Sequence, residues 1–137
     1  MNQIDKSKLQ THSVTSFFGT FATSDDDDIA VFCAPFDCEI ISAHVMNGSD
    51  LSKSSANYLI LTLTDKGSAG SGSDAIATVN TSATDMDEFD ALSMGTISAT
   101  HGLLSEGDVV SLVKTHNGTG ANASTDVLQC AIKFRRR

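Results

Sequence analysis

Eight short stretches of β-strand character follow one another along the chain, each closed by turn residues. They are residues 13–22 (SVTSFFGTFA), 29–34 (IAVFCA), 38–46 (CEIISAHVM), 58–64 (YLILTLT), 75–81 (AIATVNT), 91–99 (ALSMGTISA), 109–115 (VVSLVKT) and 127–134 (VLQCAIKF). The cleanest period of two lies in 58–64, where Leu59, Leu61 and Leu63 alternate with Tyr58, Ile60, Thr62 and Thr64. Successive side chains of a strand point to opposite faces, so the leucine face is expected to meet a core. In 109–115, Val110, Leu112 and Lys114 share one face and Val109, Ser111 and Val113 the other. The continuous apolar run 29–34 predicts a strand buried on both sides or nearly so, ended by Pro35, which removes a ladder donor.

The intervening segments read as turns. Four consecutive acids at 25–28 mark a solvated loop, and 65–74 (DKGSAGSGSD) a glycine-rich one. Residues 82–90 read as an acidic loop or a single helical turn, and Asn117-Gly118-Thr119-Gly120 as a turn. Leu103 and Leu104 run into the tight turn Ser105-Glu106-Gly107-Asp108. No stretch carries a convincing amphipathic helix. The expectation is an all-β, eight-stranded antiparallel sandwich of jelly-roll type over residues 13–134, preceded by a polar N-terminal arm (1–12) and followed by a basic tail (135–137).

Composition narrows this picture. At 137 residues the chain is one domain and can bury about 70% of its unfolded surface without staples. The N-terminus has no apolar h-region, so no secretory signal is read and synthesis in a cytoplasm is expected. No apolar run approaches the length of about 18 residues that spans a membrane. Three cysteines, Cys33, Cys38 and Cys130, favour reduced thiols, although a Cys33–Cys38 bridge across the intervening turn is open. Net charge is −8, unevenly spread: residues 9–132 hold 3 positive against 16 negative side chains, a net of −13. The other six cations, Lys6, Lys8, Lys133, Arg135, Arg136 and Arg137, sit at the ends. An acidic body repels nucleic acid.

Candidate chemistry is sparse. A nucleophilic site would need Ser, Thr or Cys beside a histidine and an acid. His12, His44, His101 and His116 are scattered, and no G-x-S-x-G occurs. Residues 85–90 (DMDEFD) carry acids for calcium but fail the EF-hand pattern at Phe89, and 25–28 supply charge without a shaped cage. Gly67, Gly70 and Gly72 lack the lysine of a phosphate loop. No metal, cofactor or catalytic residue is therefore assigned.

Three stretches carry a resemblance: Ala34-Pro35-Phe36-Asp37-Cys38-Glu39-Ile40; residues 58–64 with the glycine-rich 67–72; and Leu104-Ser105-Glu106-Gly107-Asp108-Val109-Val110 leading to residues 117–120. In this order they resemble the small jelly-roll decoration, or cement, proteins on the heads of tailed bacteriophages. The resemblance spans roughly residues 13–134. It implies a non-enzymatic virion protein, made in the host cytoplasm, that sits on the outer capsid surface and braces the shell. Its implied partners are the major capsid protein and itself, as a homotrimer, with neither nucleic acid nor membrane. Ile4, Lys6, Lys8 and Leu9 then become a capsid-docking arm. Phe17, Phe18 and Phe21 offer more aromatic surface than one strand face can absorb and are read as a subunit contact. The alternatives are a receptor- or glycan-binding domain of a phage tail fibre, weakened by the absence of Trp, and a small hydrolase on a β scaffold.

Overall fold

The computed structural model of the protein describes residues 10–17, 26–119 and 128–137. Nine strands run in chain order: β1 (Thr11–Phe17), β2 (Asp27–Cys33), β3 (Cys38–Met46), β4 (Tyr58–Gly67), β5 (Asp74–Asn80), β6 (Leu92–Ser93), β7 (Leu103–Leu104), β8 (Val109–Asn117) and β9 (Gln129–Arg136). Among the described residues there is no helix. The strands form two antiparallel sheets. One has the order β1-β9-β3-β6, with β7 also on β3, and the other β2-β8-β4-β5.

The pairing is nested from the outside inward. The first strand pairs with the last (β1 with β9), then β2 with β8, β3 with β6 and β7, and β4 with β5. That is the order of a hairpin rolled up into two layers, the jelly roll. The chain therefore crosses between sheets on leaving β1, β2, β3, β5, β7 and β8, and stays within one sheet from β4 to β5 and from β6 to β7.

The core lies between the layers. Leu59, Leu61 and Leu63 are at most 1% exposed, as their alternation requires. They meet Val110 and Leu112 of β8, Ile76 and Val79 of β5, and the inner faces of β3 and β9. Each such side chain contributes about 1.5–3 kcal/mol on leaving water. Loop residues Leu51, Met86, Met94 and Leu128 are also buried, closing the open ends of the sandwich.

Several boundaries differ from the sequence reading, each for a physical reason. Residues 29–34 are not buried on both sides: β2 is an edge strand with Ala30 and Cys33 exposed. The apolar run is used by a bulge at Val31 instead, where the register with β8 shifts and lets neighbouring Val31 and Phe32 both turn inward. Residues 91–99 yield only the two-residue β6. Met94 and Ile97 still reach the core, but from a loop that turns at Gly95 (φ 80°) and sends the Ser98 N–H to Ile76 O at 2.8 Å. Residues 82–90 form no helical turn. Met86 exchanges two backbone hydrogen bonds with Leu51, both 2.9 Å, and tucks its side chain inside. Leu103 and Leu104 form a ninth strand, β7, on β3. The β1–β9 ladder also runs past the sequence-assigned limits at one end, pairing Thr11 with Arg135, because backbone pairing continues where the side chains are already polar.

Candidate interaction surfaces

Because β1 runs antiparallel to β9, the start of β1, the end of β9 and the start of β3 meet at one end of the sandwich. The turn at residues 34–37 lies there too, locked to the turn at 105–108. Ala34 N–H donates to Asp108 O and Gly107 N–H to Ala34 O, while the Asp37 carboxylate accepts from Glu106 N–H at 2.9 Å. The basic C-terminus is bound into this end. Arg135 Nε donates to Glu39 Oε1. Arg136 lies 4.1 Å over the Phe36 ring, and Arg137 N–H donates to Asp37 O. Cation–π contact of this kind adds about 0.5–1 kcal/mol at an exposed site. The Phe134 ring sits amid His12, Phe32 and Phe36, with centroid distances of 5.3, 4.7 and 6.1 Å. His12 is thus an aromatic packing residue. Lys133 remains exposed on the outer face of the same sheet.

A bulge in β3 also shapes this end. The register with β9 shifts between Ile40 and Ser42, so Ile41 is left outside at 40% exposure, matched by Leu103 at 40%. With Ile40, Ile97 and Ala99 they line a cleft of about 290 Å³ whose rim includes Glu39.

The opposite end is acidic. The loop at 82–91 is fastened to the loop at 47–57, and one acid from each serves the other's backbone: Asp50 accepts from Glu88 N–H and Asp85 from Lys53 N–H, both at 2.7 Å. Their oxygens are committed, and among the described residues no three His, Cys, Asp or Glu side chains converge as a metal site would need. Phe89 stands out of this loop, 74% exposed, with a left-handed backbone (φ 61°). The sequence reading used Phe89 only as a mismatch to a calcium loop. Its signal was a single aromatic set between Glu88 and Asp90.

Two ion pairs tie strand β2 to its neighbours. Lys66 Nζ lies 2.6 Å from Asp28 Oδ2. His116 meets Asp26 twice, through its backbone N–H at 2.9 Å and through Nδ1 at 2.6 Å. Burial pushes the Asp28 carboxyl upward, but the Lys66 hydrogen bond, the Ser111 hydroxyl and the Lys66 charge together outweigh it and hold its pKa below the ordinary aspartate value. Hydrogen bonds from the His116 side chain and backbone do the same for Asp26. A depressed carboxyl stabilises the fold fully above its unfolded-state pKa of about 4, and that contribution is lost as pH falls through the lower folded value. The acid limb of a urea-unfolding series is therefore expected to be shallower in Asp28→Asn than in the wild type. An unchanged slope would show that the pair carries no linkage.

His101 lies 3.6 Å from Asp74, and His44 points from the outer face of β3. The four histidines occupy separate places and do not converge. The cysteines are free thiols: Cys33 is exposed, whereas Cys38 and Cys130 are buried, and burial raises their pKa to about 11 and about 12. Ile4, Lys6, Lys8 and Leu9 lie outside the described residues, as do Phe18 and Phe21; Phe17 closes β1 opposite Gln129.

No protein-family model matches the chain, and no curated protein does. Among solved structures it is similar to a chain of the cyanophage Pam1 capsid asymmetric unit, at a TM-score of 0.47 and 19% identity, over 93% of this chain and 84% of that one.

Proposed function

We propose that the protein is a non-enzymatic structural component of a phage head that binds the outside of the capsid, with the major capsid protein and further copies of itself, as a homotrimer, for partners. The observation that carries this reading is the nested jelly roll itself. Its outermost strand pair sets Thr11, where β1 begins, opposite Arg135 at one end of the sandwich. Support comes from the three sequence stretches that resemble decoration proteins. In the fold they are the turn at 34–37 leading into β3, strand β4 with its following turn, and the turn at 105–108 with β8. The first and third are hydrogen-bonded to each other at the arm-bearing end. Among the described residues the four histidines stand apart from one another, which accords with a role carried by surfaces.

The test is binding of purified protein to undecorated capsids, followed by imaging of the particle. Removal of residues 1–9, which stops short of β1, is expected to weaken attachment by about tenfold or more, equivalent to about 1.4 kcal/mol, while leaving the urea midpoint unchanged. Deletion through residue 12 is the wrong variant, because Thr11 and His12 pair with Arg135 and Phe134. Absence of the protein from the head surface would overturn the proposal, and a location on the tail would favour the receptor-binding alternative.

A further inference from the structure

Phe89 carries two costs that the fold does not require. Its ring stands in water at 74% exposure, and its backbone occupies the left-handed region at φ 61°. A non-glycine residue held in a sparsely populated backbone region costs on the order of 1–3 kcal/mol, and such outliers gather at sites of function. Glycine or asparagine would fill the position more cheaply. The backbone that carries the ring is held in place. Phe89 N–H donates to Asn47 O at 2.9 Å, the turn closes from Asp90 N–H to Asp87 O, and the Met86–Leu51 bridge fixes the loop below it. An exposed aromatic on a backbone already fixed is the form of an interface anchor, since only the side chain remains to be ordered on binding.

We propose that this anchor docks in the cleft at the start of β3 of a second copy. Three observations select that occupant. The first is size: the cleft is open to solvent and measures about 290 Å³, room for one aromatic ring. The second is apolar character at the mouth, where Ile41 and Leu103 are, among the described residues, the other two large hydrophobic side chains left exposed. The third is charge. Asp87, Glu88 and Asp90 flank the ring, whereas Arg135 stands over the cleft rim on Glu39, half exposed and using its Nε there. The other N–H donors of that guanidinium can meet the carboxylates around the incoming ring. Anchor and cleft lie at opposite ends of β3, Phe89 bonded beside Met46 at Asn47 and the cleft at Glu39–Ile41, so one copy cannot satisfy itself. The contact is between copies in solution and stands whether or not the head-protein reading holds.

Sedimentation equilibrium of the full chain tests this. The wild type is expected to associate reversibly, and Phe89→Ser to associate about 30-fold or more weakly, the loss typical of a removed anchor. Leu103→Asp, which adds a charge against the acidic loop, should do the same, with Ile41→Ser as a second cleft variant if Leu103→Asp fails to fold. An equimolar mixture of Phe89→Ser and Leu103→Asp should associate again, because one supplies an intact cleft and the other an intact anchor. A monomeric wild type, full association of Phe89→Ser, or a mixture that stays monomeric would each overturn the proposal.

Discussion

Leu61→Ala is expected to lower the unfolding free energy by about 3–4 kcal/mol. Leu61 sits mid-strand in β4, is 0% exposed, and has Leu59 and Leu63 on the same face. Its register partners, Lys114 on β8 and Val79 on β5, are themselves 2% and 6% exposed. Truncation removes the transfer free energy of the lost methyl groups and leaves a cavity that neighbours held in two ladders cannot collapse to fill. A domain of this kind has only about 5–15 kcal/mol in total, so the loss is a large share of it. Urea denaturation should show the midpoint fall with the slope unchanged. A shift below about 1 kcal/mol would mean that the two sheets slide together over the gap, and that the core is less constrained than its burial indicates.

Gly118→Ala should cost about 2–4 kcal/mol, from two separable sources. Gly118 has φ 67°, which an L-residue adopts only at a cost of about 1–2 kcal/mol. In addition, a Cβ there would stand 2.5 Å from both Ala56 O and Asn57 Oδ1. Neither can retreat freely: Asn57 Oδ1 accepts from Thr119 N–H and Thr119 Oγ1, both at 2.9 Å, and Ala56 O accepts from Asn117 Nδ2. Gly107→Ala separates the two terms. Gly107 has φ 88° but nothing within 4 Å of an added Cβ, so it should pay only the conformational cost. Equal losses at the two glycines, read from paired urea curves, would show that the contact with the β3–β4 loop is soft.

The architecture was legible wherever alternation and turn chemistry agreed. Residues 58–64 have a period of two and no competing signal, and β4 follows them closely. Gly107 and Gly118 both mark turns that need positive φ. The reading weakened where a side chain reaches the core without a ladder. Met94 and Ile97 made 91–99 look like one strand, although the chain needs only their side chains inside, and the loop that follows β6 delivers them. It weakened again at bulges: Val31 and Ile41 each break the period by one residue, and that single step decides that Phe32 is buried and Ile41 exposed. The candidate surfaces were harder still. Arg135 and Arg136 look like a loose basic tail until Glu39 and Phe36, almost a hundred residues earlier, arrive beside them. Phe89 gave no periodic signal, because its significance comes from a backbone angle and from exposure.

The outermost strand pair has a mechanical meaning. Thr11 and Arg135 face each other at the end of the β1–β9 ladder. Tension that draws Thr11 away from Arg135 acts across the strands and opens the ladder one pair at a time, beginning at Thr11, as a zipper opens from its tab. Force directed along the strands would instead load every bond of a ladder together. The β1–β9 ladder is therefore weaker against force that peels Thr11 from Arg135 than against force along its strands. If the arm is the tether to a pressurised shell, it can hold the protein in place, but resistance to expansion has to pass through the body of the sandwich.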